Sequence, residues 1–200
     1  MNHFKQDSGW GSSASILEAA EKTLASLQSA GFSVELRVPN LPLLAPDGEA
    51  KRLKKKAKEE NPEYEWRGDS YIALKDSASL LDVCRHLRDE LGWEQLIDCT
   101  AMDPSAESGE LLGCYQFLSL SLKARLSIEI SISKESPEVQ SVTSIYLTAD
   151  WHEREASEMF GITYSGHPDP RNILLPDDWE GFPLRKDYEF PEEYHGVSCK

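Results

Sequence analysis

The chain has 200 residues, of which 40% are hydrophobic, and this suits one domain with a modest core and appendages rather than two full domains. Its formal net charge of -14 argues against a nucleic-acid-binding protein, which would present a basic face. No apolar run reaches the roughly 18 residues of a membrane-spanning helix, and the N-terminus has neither a signal-peptide core nor an Arg-rich presequence pattern. We therefore expect a cytoplasmic protein with no transmembrane segment of its own, in which residues 1–12 form a flexible N-terminus.

The first predicted elements are a helix and two strands. A capping box from Ser15 to Glu18, followed by apolar residues at helical spacing, predicts an amphipathic helix that ends before Gly31. Apolar and polar residues then alternate over residues 32–38, and residues 70–75 have a similar composition, so both segments are predicted to be strands.

Residues 40–69 form a charged connection between these two strands. The cluster from Lys51 to Lys58 could bind phosphate or lipid head groups. The glutamates around the cluster dilute its charge, so we favour a solvated loop or a short exposed helix.

A second amphipathic helix is predicted from Leu80 to Leu91, closed by Gly92. Its polar side carries His86, which we expect to be exposed to solvent. A third strand follows over residues 95–101, and a turn-rich loop over residues 103–113.

Residues 115–122 and 126–133 are predicted to form an antiparallel hairpin. We expect Leu118, Leu120 and Leu122 to lie on the buried face of its first strand, because they alternate with serines. The last helix is predicted between an Asp150–Glu153 capping pair and Gly161. Together these elements predict a two-layer α+β domain over residues 13–161, with an antiparallel or mixed sheet covered by helices on one face.

The segment after the last helix, residues 162–200, contains aromatic residues such as Trp179, Tyr188 and Phe190, interleaved with five prolines. Prolines remove backbone donors and keep a chain extended, so this segment needs few partners within a sheet. We interpret it as an extended C-terminal arm that docks on another protein.

The four cysteines are too widely spaced for a C-x-x-C or similar metal-binding cluster. Three of them lie in apolar patterns, so we interpret these as small buried hydrophobic residues. The four are Cys84, Cys99, Cys114 and Cys199.

Short motifs in the last quarter of the chain carry a resemblance to a known family. They are Glu153-Arg154-Glu155, Met159-Phe160-Gly161-Ile162, Gly166-His167-Pro168-Asp169, Ile173-Leu174-Leu175-Pro176-Asp177-Asp178-Trp179 and Pro183-Leu184-Arg185-Lys186-Asp187-Tyr188. In this order they resemble the thirty-kilodalton subunit of proton-pumping NADH:quinone oxidoreductase, or respiratory complex I, which is called the C subunit in bacteria. The resemblance implies a partner interface at Glu153, Arg154, Glu155, Phe160, Gly161, His167, Pro168, Asp169, Arg171, Asp177, Asp178, Trp179, Pro183, Leu184, Arg185, Lys186, Asp187 and Tyr188.

The resemblance also implies a function. Members of the family are non-catalytic structural subunits of the peripheral arm of the complex, on the cytoplasmic side of the bacterial inner membrane. They bind no cofactor themselves, while NADH, FMN, iron–sulfur clusters and quinone are bound by partner subunits.

The chief partner that the resemblance implies is the larger forty-nine-kilodalton-type subunit, or D subunit, whose pocket receives the quinone head group. We call this neighbour the quinone-site subunit. Members of the family pack on it, and we expect this chain to be a polypeptide separate from it.

Two other functions fit parts of the sequence. One is the equivalent subunit of a related membrane-bound hydrogenase complex, which this chain alone hardly distinguishes. The other is a stand-alone metal-dependent enzyme that uses His167 and Asp169, with His152, Glu153 or Glu155 as a third ligand. A structural or interface histidine is the favoured interpretation of His167, because Pro168 separates the two side chains and the surrounding segment indicates no cleft.

Overall fold

The structure, a computed structural model, describes residues 13–37 and 71–198. The flexible N-terminus predicted for residues 1–12 and the charged connection with its Lys51–Lys58 cluster lie outside these residues. Within the described part the helices are α1 (Ser13–Ser29), α2 (Leu80–Leu91) and α3 (Ala149–Phe160), and the strands are β1 (Val34–Arg37), β2 (Tyr71–Leu74), β3 (Gln95–Met102), β4 (Glu110–Ser119), β5 (Ala124–Ser133), β6 (Glu138–Gln140), β7 (Thr163–Ser165), β8 (Glu193–Tyr194) and β9 (Val197–Ser198).

A five-stranded sheet forms the centre of the domain, in the order β1-β2-β5-β4-β3. Strands β2 and β5 run parallel and the other neighbours are antiparallel, so the sheet is mixed, as predicted. Helices packed against this sheet complete an α+β fold, and the predicted fold class is confirmed.

The hydrophobic core lies between the helices and one face of the sheet. Leu126, Ile128, Ile130 and Ile132 of β5 are all buried, as their alternation predicts. The indole N–H of Trp93 donates to Thr23 Oγ1 at 3.0 Å and thereby ties the end of α2 to α1. Cys84 and Cys99 are buried in this core and are not in disulfides, as interpreted from the sequence, whereas Cys114 is half-buried rather than buried.

The predicted facing of β4 is wrong. Leu120 and Leu122 are 55% and 49% exposed, while Tyr115, Phe117 and Ser119 are fully buried. The turn occupies the residues between Ser119 and Ala124, which pair with each other, so the predicted strand extended too far into the turn. A shift of one residue moves every side chain of a strand to the other face, and burying the two large aromatic rings fixes the observed facing.

Two predicted helix starts are also wrong. Helix α1 begins at Ser13, two residues before the predicted cap. The N-cap residue of α3 is Thr148, whose hydroxyl donates to the carbonyl of Leu96 at 2.7 Å rather than capping the helix. Glu153 binds the segment that precedes the helix. Tertiary contacts thus engage the side chains that local sequence would assign to capping.

His86 is half-buried rather than exposed. Its Nε2 lies 3.0 Å from Ser26 Oγ, and its ring lies 6.0 Å from that of Phe32, so it links α2 to the end of α1 and the residues that follow. Within residues 13–37 and 71–198, no helix combines the length and the apolar character needed to span a bilayer.

After α3 the chain first returns to the domain. Strand β7 pairs in parallel with β6, so the segment without a partner in the domain's sheets begins at Gly166 rather than at residue 162. We call residues 166–198 the docked arm.

Candidate partner interface

Helix α3 carries the first charged motif and presents it to three different environments. Glu153 and Glu158 are buried, Arg154 is half-buried, and Glu155 is exposed. Consecutive residues of a helix point about 100° apart, so neighbouring charged side chains face different surroundings. Only Glu155 of these four side chains is directed fully to solvent.

Glu153 is a fully buried carboxylate that holds the loop before the helix. It accepts a hydrogen bond from Ser141 Oγ at 2.6 Å and one from the backbone N–H of Val142 at 2.8 Å. Burial raises the pKa of Glu153, while these hydrogen bonds and the nearby His167 oppose the rise. The residue is therefore an internal structural group in this chain.

His167 lies against the first turn of the same helix with its side chain only 2% exposed. The backbone N–H of Asp169 donates to His167 Nδ1 at 3.0 Å. Nδ1 is therefore an acceptor, which places the proton on Nε2, 3.1 Å from the carbonyl oxygen of Asp150. The imidazole joins the start of the docked arm to the start of α3.

Asp169 pairs with arginines rather than with His167. Its carboxylate accepts two hydrogen bonds of 2.7 Å from Arg171, which lower its pKa to about 2. Arg154 lies 3.8 Å from the same carboxylate and donates to the carbonyl of Arg171 at 2.8 Å. Arg154 is thus directed toward the docked arm.

The carboxylate of Glu158 binds three consecutive backbone N–H groups of the docked arm. The donors are Ile173, Leu174 and Leu175, at 2.9 to 3.2 Å. Glu158 is 5% exposed, so these charge-assisted bonds are shielded from solvent. They fix the position of the segment that precedes Asp177 and Trp179.

The second charged motif, Pro183-Leu184-Arg185-Lys186-Asp187-Tyr188, attaches to the C-terminal end of α3. Arg185 Nε donates to the carbonyl oxygen of Phe160 at 2.7 Å. The backbone N–H of Leu184 donates to the carbonyl oxygen of Met159 at 3.1 Å. The backbone N–H of Lys186 donates to Asp103 Oδ2 at 2.9 Å.

Asp103 itself lies in a buried ion pair with Lys134, with an N–O distance of 2.8 Å. Burial acts to raise the pKa of Asp103, but hydrogen bonds from Lys134 and from the backbone of Lys186 outweigh it and lower the pKa. The ion pair thus presents a charged acceptor to the docked arm.

Gly161 allows close contact between helix and arm. It has φ +73°, and a Cβ at this position would lie 2.5 Å from the ring of Phe182. The guanidinium of Arg185 lies 4.7 Å from the centroid of the same ring. The helix therefore ends where an aromatic residue of the arm covers it.

The far end of the docked arm forms an aromatic cluster. Tyr194 lies 5.2 Å from Trp179 between ring centroids and donates to Asp178 Oδ1 at 2.8 Å. Tyr188 donates to the carbonyl of Glu180 at 3.2 Å. Cross-strand pairing of β8 with β9 keeps Tyr194 in this position.

The predicted interface residues thus divide into two groups. Most of the charged side chains bind within the chain, and those that remain directed outward are Glu155, Asp177, Lys186 and Asp187. Pro168 is exposed and Pro183 half-buried, both on the surface of the arm. The docked arm and the elements beside it also carry exposed apolar residues, namely Leu147, Trp151, Leu174, Phe182, Leu184, Phe190 and Val197.

Sequence reasoning missed several residues that build this surface. Asp103 and Lys134 come from loops with no periodic signal. Glu158 was missed because its partners are backbone N–H groups 15 to 17 residues away along the chain. Trp151 offered a signal, because a large apolar side chain stands among charged residues at the start of an otherwise polar helix face.

The geometry does not support a metal site at His167 and Asp169. The carboxylate of Asp169 is bound to Arg171, and both ring nitrogens of His167 contact protein groups. Across the described residues, no three His, Cys, Asp or Glu side chains are grouped as metal ligands. Two of the predicted third ligands lie elsewhere, since His152 is 3.5 Å from Asp98 and Glu155 is exposed. Glu153 Oε2 does lie 3.9 Å from His167 Nε2, but its carboxylate is bound to Ser141 and to the backbone of Val142.

Comparison with known proteins identifies a family for this chain. Residues 74–194 match the family model described as "Respiratory-chain NADH dehydrogenase, 30 Kd subunit". The chain is 54% identical over 90 residues to the C subunit of NADH-quinone oxidoreductase from Chloroherpeton thalassium, covering 44% of this chain and 38% of that protein. It is 43% identical over 137 residues to the protein of the same name from Salinispora arenicola. This match covers 66% of this chain and 56% of that protein.

These two relatives are longer proteins, of which the chain spans roughly two fifths and just over half. A solved structure of a trypsin-resistant fragment of Nqo5 has the same fold, with a TM-score of 0.52 and 20% identity over 76% of this chain and 98% of that one.

Proposed function

Because the chain belongs to the family of the 30 Kd subunit of respiratory-chain NADH dehydrogenase, we propose that it is a structural subunit of the peripheral arm of NADH:quinone oxidoreductase. In this role it packs on the quinone-site subunit and keeps neighbouring subunits in the positions that electron transfer from NADH to quinone requires. It performs no chemical step itself. NADH, FMN, iron–sulfur clusters and quinone are bound by its partners, at the cytoplasmic side of the bacterial inner membrane.

One observation carries the proposal. The docked arm is fixed on its inner side by the carboxylates of Glu158 and Asp103, while its outer side exposes apolar residues that include Leu174, Leu184 and Phe190. Exposed apolar residues gathered on one region of a soluble surface are typical of protein–protein interfaces. The arm is therefore a preorganised surface rather than a tail that folds only on binding, and preorganisation lowers the entropic cost of association.

The motif charges are explained by the same geometry. The arm is positioned on α3 by Glu153, Arg154, Glu158 and Arg185. These side chains would therefore hold the partner-binding surface in place without contacting the partner. The side chains that would contact the partner directly are the outward ones, among them Glu155 and Leu184.

A matched pair of leucines tests the proposal. Leu184 is 51% exposed on the arm, and Leu122 is 49% exposed in the turn between β4 and β5. We expect Leu184→Asp to lower the amount of assembled complex recovered from membranes severalfold, because it places a charge in an apolar interface. Leu122→Asp should assemble normally, and neither variant should change the melting temperature of the isolated chain by more than about 2 °C, since both sites are on the surface.

The complex recovered with an affinity-tagged chain should also contain a quinone-site subunit and oxidise NADH with a quinone acceptor. Recovery of hydrogenase subunits instead would assign the chain to the related hydrogenase complex. If the wild-type chain purified from membranes without partners, the proposed role in a complex would be wrong.

A further inference from the structure

The far end of the docked arm forms a half-open cleft of about 350 Å³. Its wall contains three aromatic rings, those of Trp179, Tyr188 and Tyr194. Four acidic residues also line the cleft, namely Asp178, Glu180, Glu189 and Glu193. We call these seven residues, together with the lining residue Pro191, the aromatic cage.

The rings of the cage are held in fixed positions. Tyr194 is bound to Asp178 and packs against Trp179, and Tyr188 is bound to the carbonyl of Glu180. Gly181 has φ +83°, and a Cβ there would lie 2.6 Å from the Tyr188 ring, so this glycine lets the ring lie against the backbone. The cavity is therefore built by specific contacts.

Of the four carboxylates of the cage, only that of Asp178 has hydrogen-bond partners within the described residues. Asp178 binds Tyr194 and also lies 2.8 Å from His195 Nε2. In the described part of the chain, the carboxylates of Glu180, Glu189 and Glu193 have neither an ion pair nor a hydrogen bond, and all three are exposed. The cage thus has a surplus of negative charge.

The cage also retains an unused donor. The indole N–H of Trp179 is shielded from solvent and has no hydrogen-bond partner in the described residues. Trp179 lines the cleft, so this N–H can report on binding there, but it does not itself indicate a cationic ligand, which would have no acceptor to offer it.

We propose that the aromatic cage binds an arginine side chain of a neighbouring subunit, an inference that rests on the proposed function. A guanidinium is planar, stacks on aromatic faces and binds carboxylates through a fork of donors. The cage offers both kinds of partner within one cavity. In a chain with a net charge of -14, a basic segment of a partner is also the electrostatically complementary ligand.

Titration of the purified full chain tests the chemistry of the cage without the complex. The probe is N-acetyl-arginine amide, and the matched control is N-acetyl-citrulline amide, which has the same shape without the charge. We expect the arginine probe to shift the NMR signal of the Trp179 indole N–H saturably and to bind at least about fivefold more tightly than the citrulline probe.

A double variant, Glu189→Gln with Glu193→Gln, should lose that preference, while Glu107→Gln, an exposed carboxylate in the loop before β4, should keep it. Equal binding of the two probes would overturn the proposal. So would tetramethylammonium that binds more tightly than the arginine probe, because it would indicate a quaternary ammonium ligand instead.

Cross-linking in the assembled complex tests the identity of the partner. A photoreactive phenylalanine analogue at Phe190, which is exposed and lies 5.0 Å from the Tyr188 ring, should capture a partner peptide that contains arginine. Glu189→Arg with Glu193→Arg should lower assembly, and Glu107→Arg should not. Normal assembly of the double variant, or capture of a peptide without a basic residue, would overturn the aromatic cage as an arginine site but leave the proposed function intact.

Discussion

Arg185 Nε donates a 2.7 Å hydrogen bond to the carbonyl oxygen of Phe160, the last residue of helix α3. The last carbonyls of a helix lack partners within it and form the negative end of its dipole, so a guanidinium is a favourable cap. Here the cap comes from a residue 25 positions downstream. The Pro-Leu-Arg-Lys-Asp-Tyr motif therefore attaches the docked arm to the end of the helix.

We expect Arg185→Ala to loosen the docked arm without unfolding the domain. Loss of a charge-assisted bond in a half-buried site should lower the free energy of local opening by about 1.5 kcal/mol, or roughly tenfold in the opening equilibrium. Hydrogen exchange at residues 182–188 measures this change. The control is Lys186→Ala, because Lys186 attaches to Asp103 only through its backbone N–H, which alanine retains. Equal exchange in both variants would contradict the capping role.

Local sequence patterns predicted the elements whose signals are local. Helix α2 runs from Leu80 to Leu91 and ends at Gly92 in the left-handed conformation, as predicted, because amphipathic spacing and a terminal glycine need no distant information. Strand β5 was predicted well for the same reason, and β4 was predicted with the wrong facing because leucines and aromatic residues both alternate along it.

The role of the charged motif could not be read from its own neighbourhood. Glu158 binds N–H groups 15 to 17 residues away, whereas helix geometry brings together only side chains three or four residues apart. Glu153 resembled a capping residue, but it binds Val142 in the preceding loop. The family motif marked Glu153 but not Glu158, and only the fold shows that both act inside the chain.

Glu158→Ala should release the arm at its first attachment. Three backbone N–H groups would lose their shared acceptor, and we expect the local opening free energy at residues 173–175 to fall by about 2 to 3 kcal/mol. Amide hydrogen exchange should therefore accelerate by roughly 30- to 150-fold at these residues. Glu158→Gln keeps one acceptor oxygen and should show a smaller effect.

Glu155→Ala is the matched control for this experiment, because Glu155 lies on the same helix but is exposed. Protection at residues 173–175 that survives Glu158→Ala would show that other contacts hold the segment.

Glu153 should make the stability of the domain depend on pH. Burial raises its folded-state pKa above the ordinary value of 4.5, so the folded chain binds more protons than the unfolded chain above that pH. The stability that this group contributes is fully present below about pH 4.5 and is lost as the pH rises through the folded pKa.

Denaturant unfolding from pH 4 to 8 checks this sign. The free energy of unfolding of the wild type, relative to that of Glu153→Gln, should fall as the pH rises, since glutamine does not titrate. Glu155→Gln removes an exposed carboxylate and should follow the wild-type curve. Parallel curves for the wild type and Glu153→Gln would mean that the buried carboxyl titrates alike in both states.

Gly161→Ala should be more damaging than Gly166→Ala, although both glycines have positive φ, +73° and +85°. Each alanine costs about 1 to 2 kcal/mol for the left-handed conformation. A Cβ at Gly166 meets no heavy atom within 4 Å, whereas one at Gly161 must displace the ring of Phe182. We expect overpacking to add about 1 to 2 kcal/mol to the loss of stability of Gly161→Ala.

A double variant separates the two contributions. Phe182→Ala removes the ring, so Gly161→Ala made in that background should cost only the backbone strain and match Gly166→Ala. The four free energies of unfolding from denaturant titration give the coupling between Gly161 and Phe182. A coupling near zero would mean that the Phe182 ring moves aside freely. The close contact between the end of α3 and the docked arm would then not require a glycine at position 161.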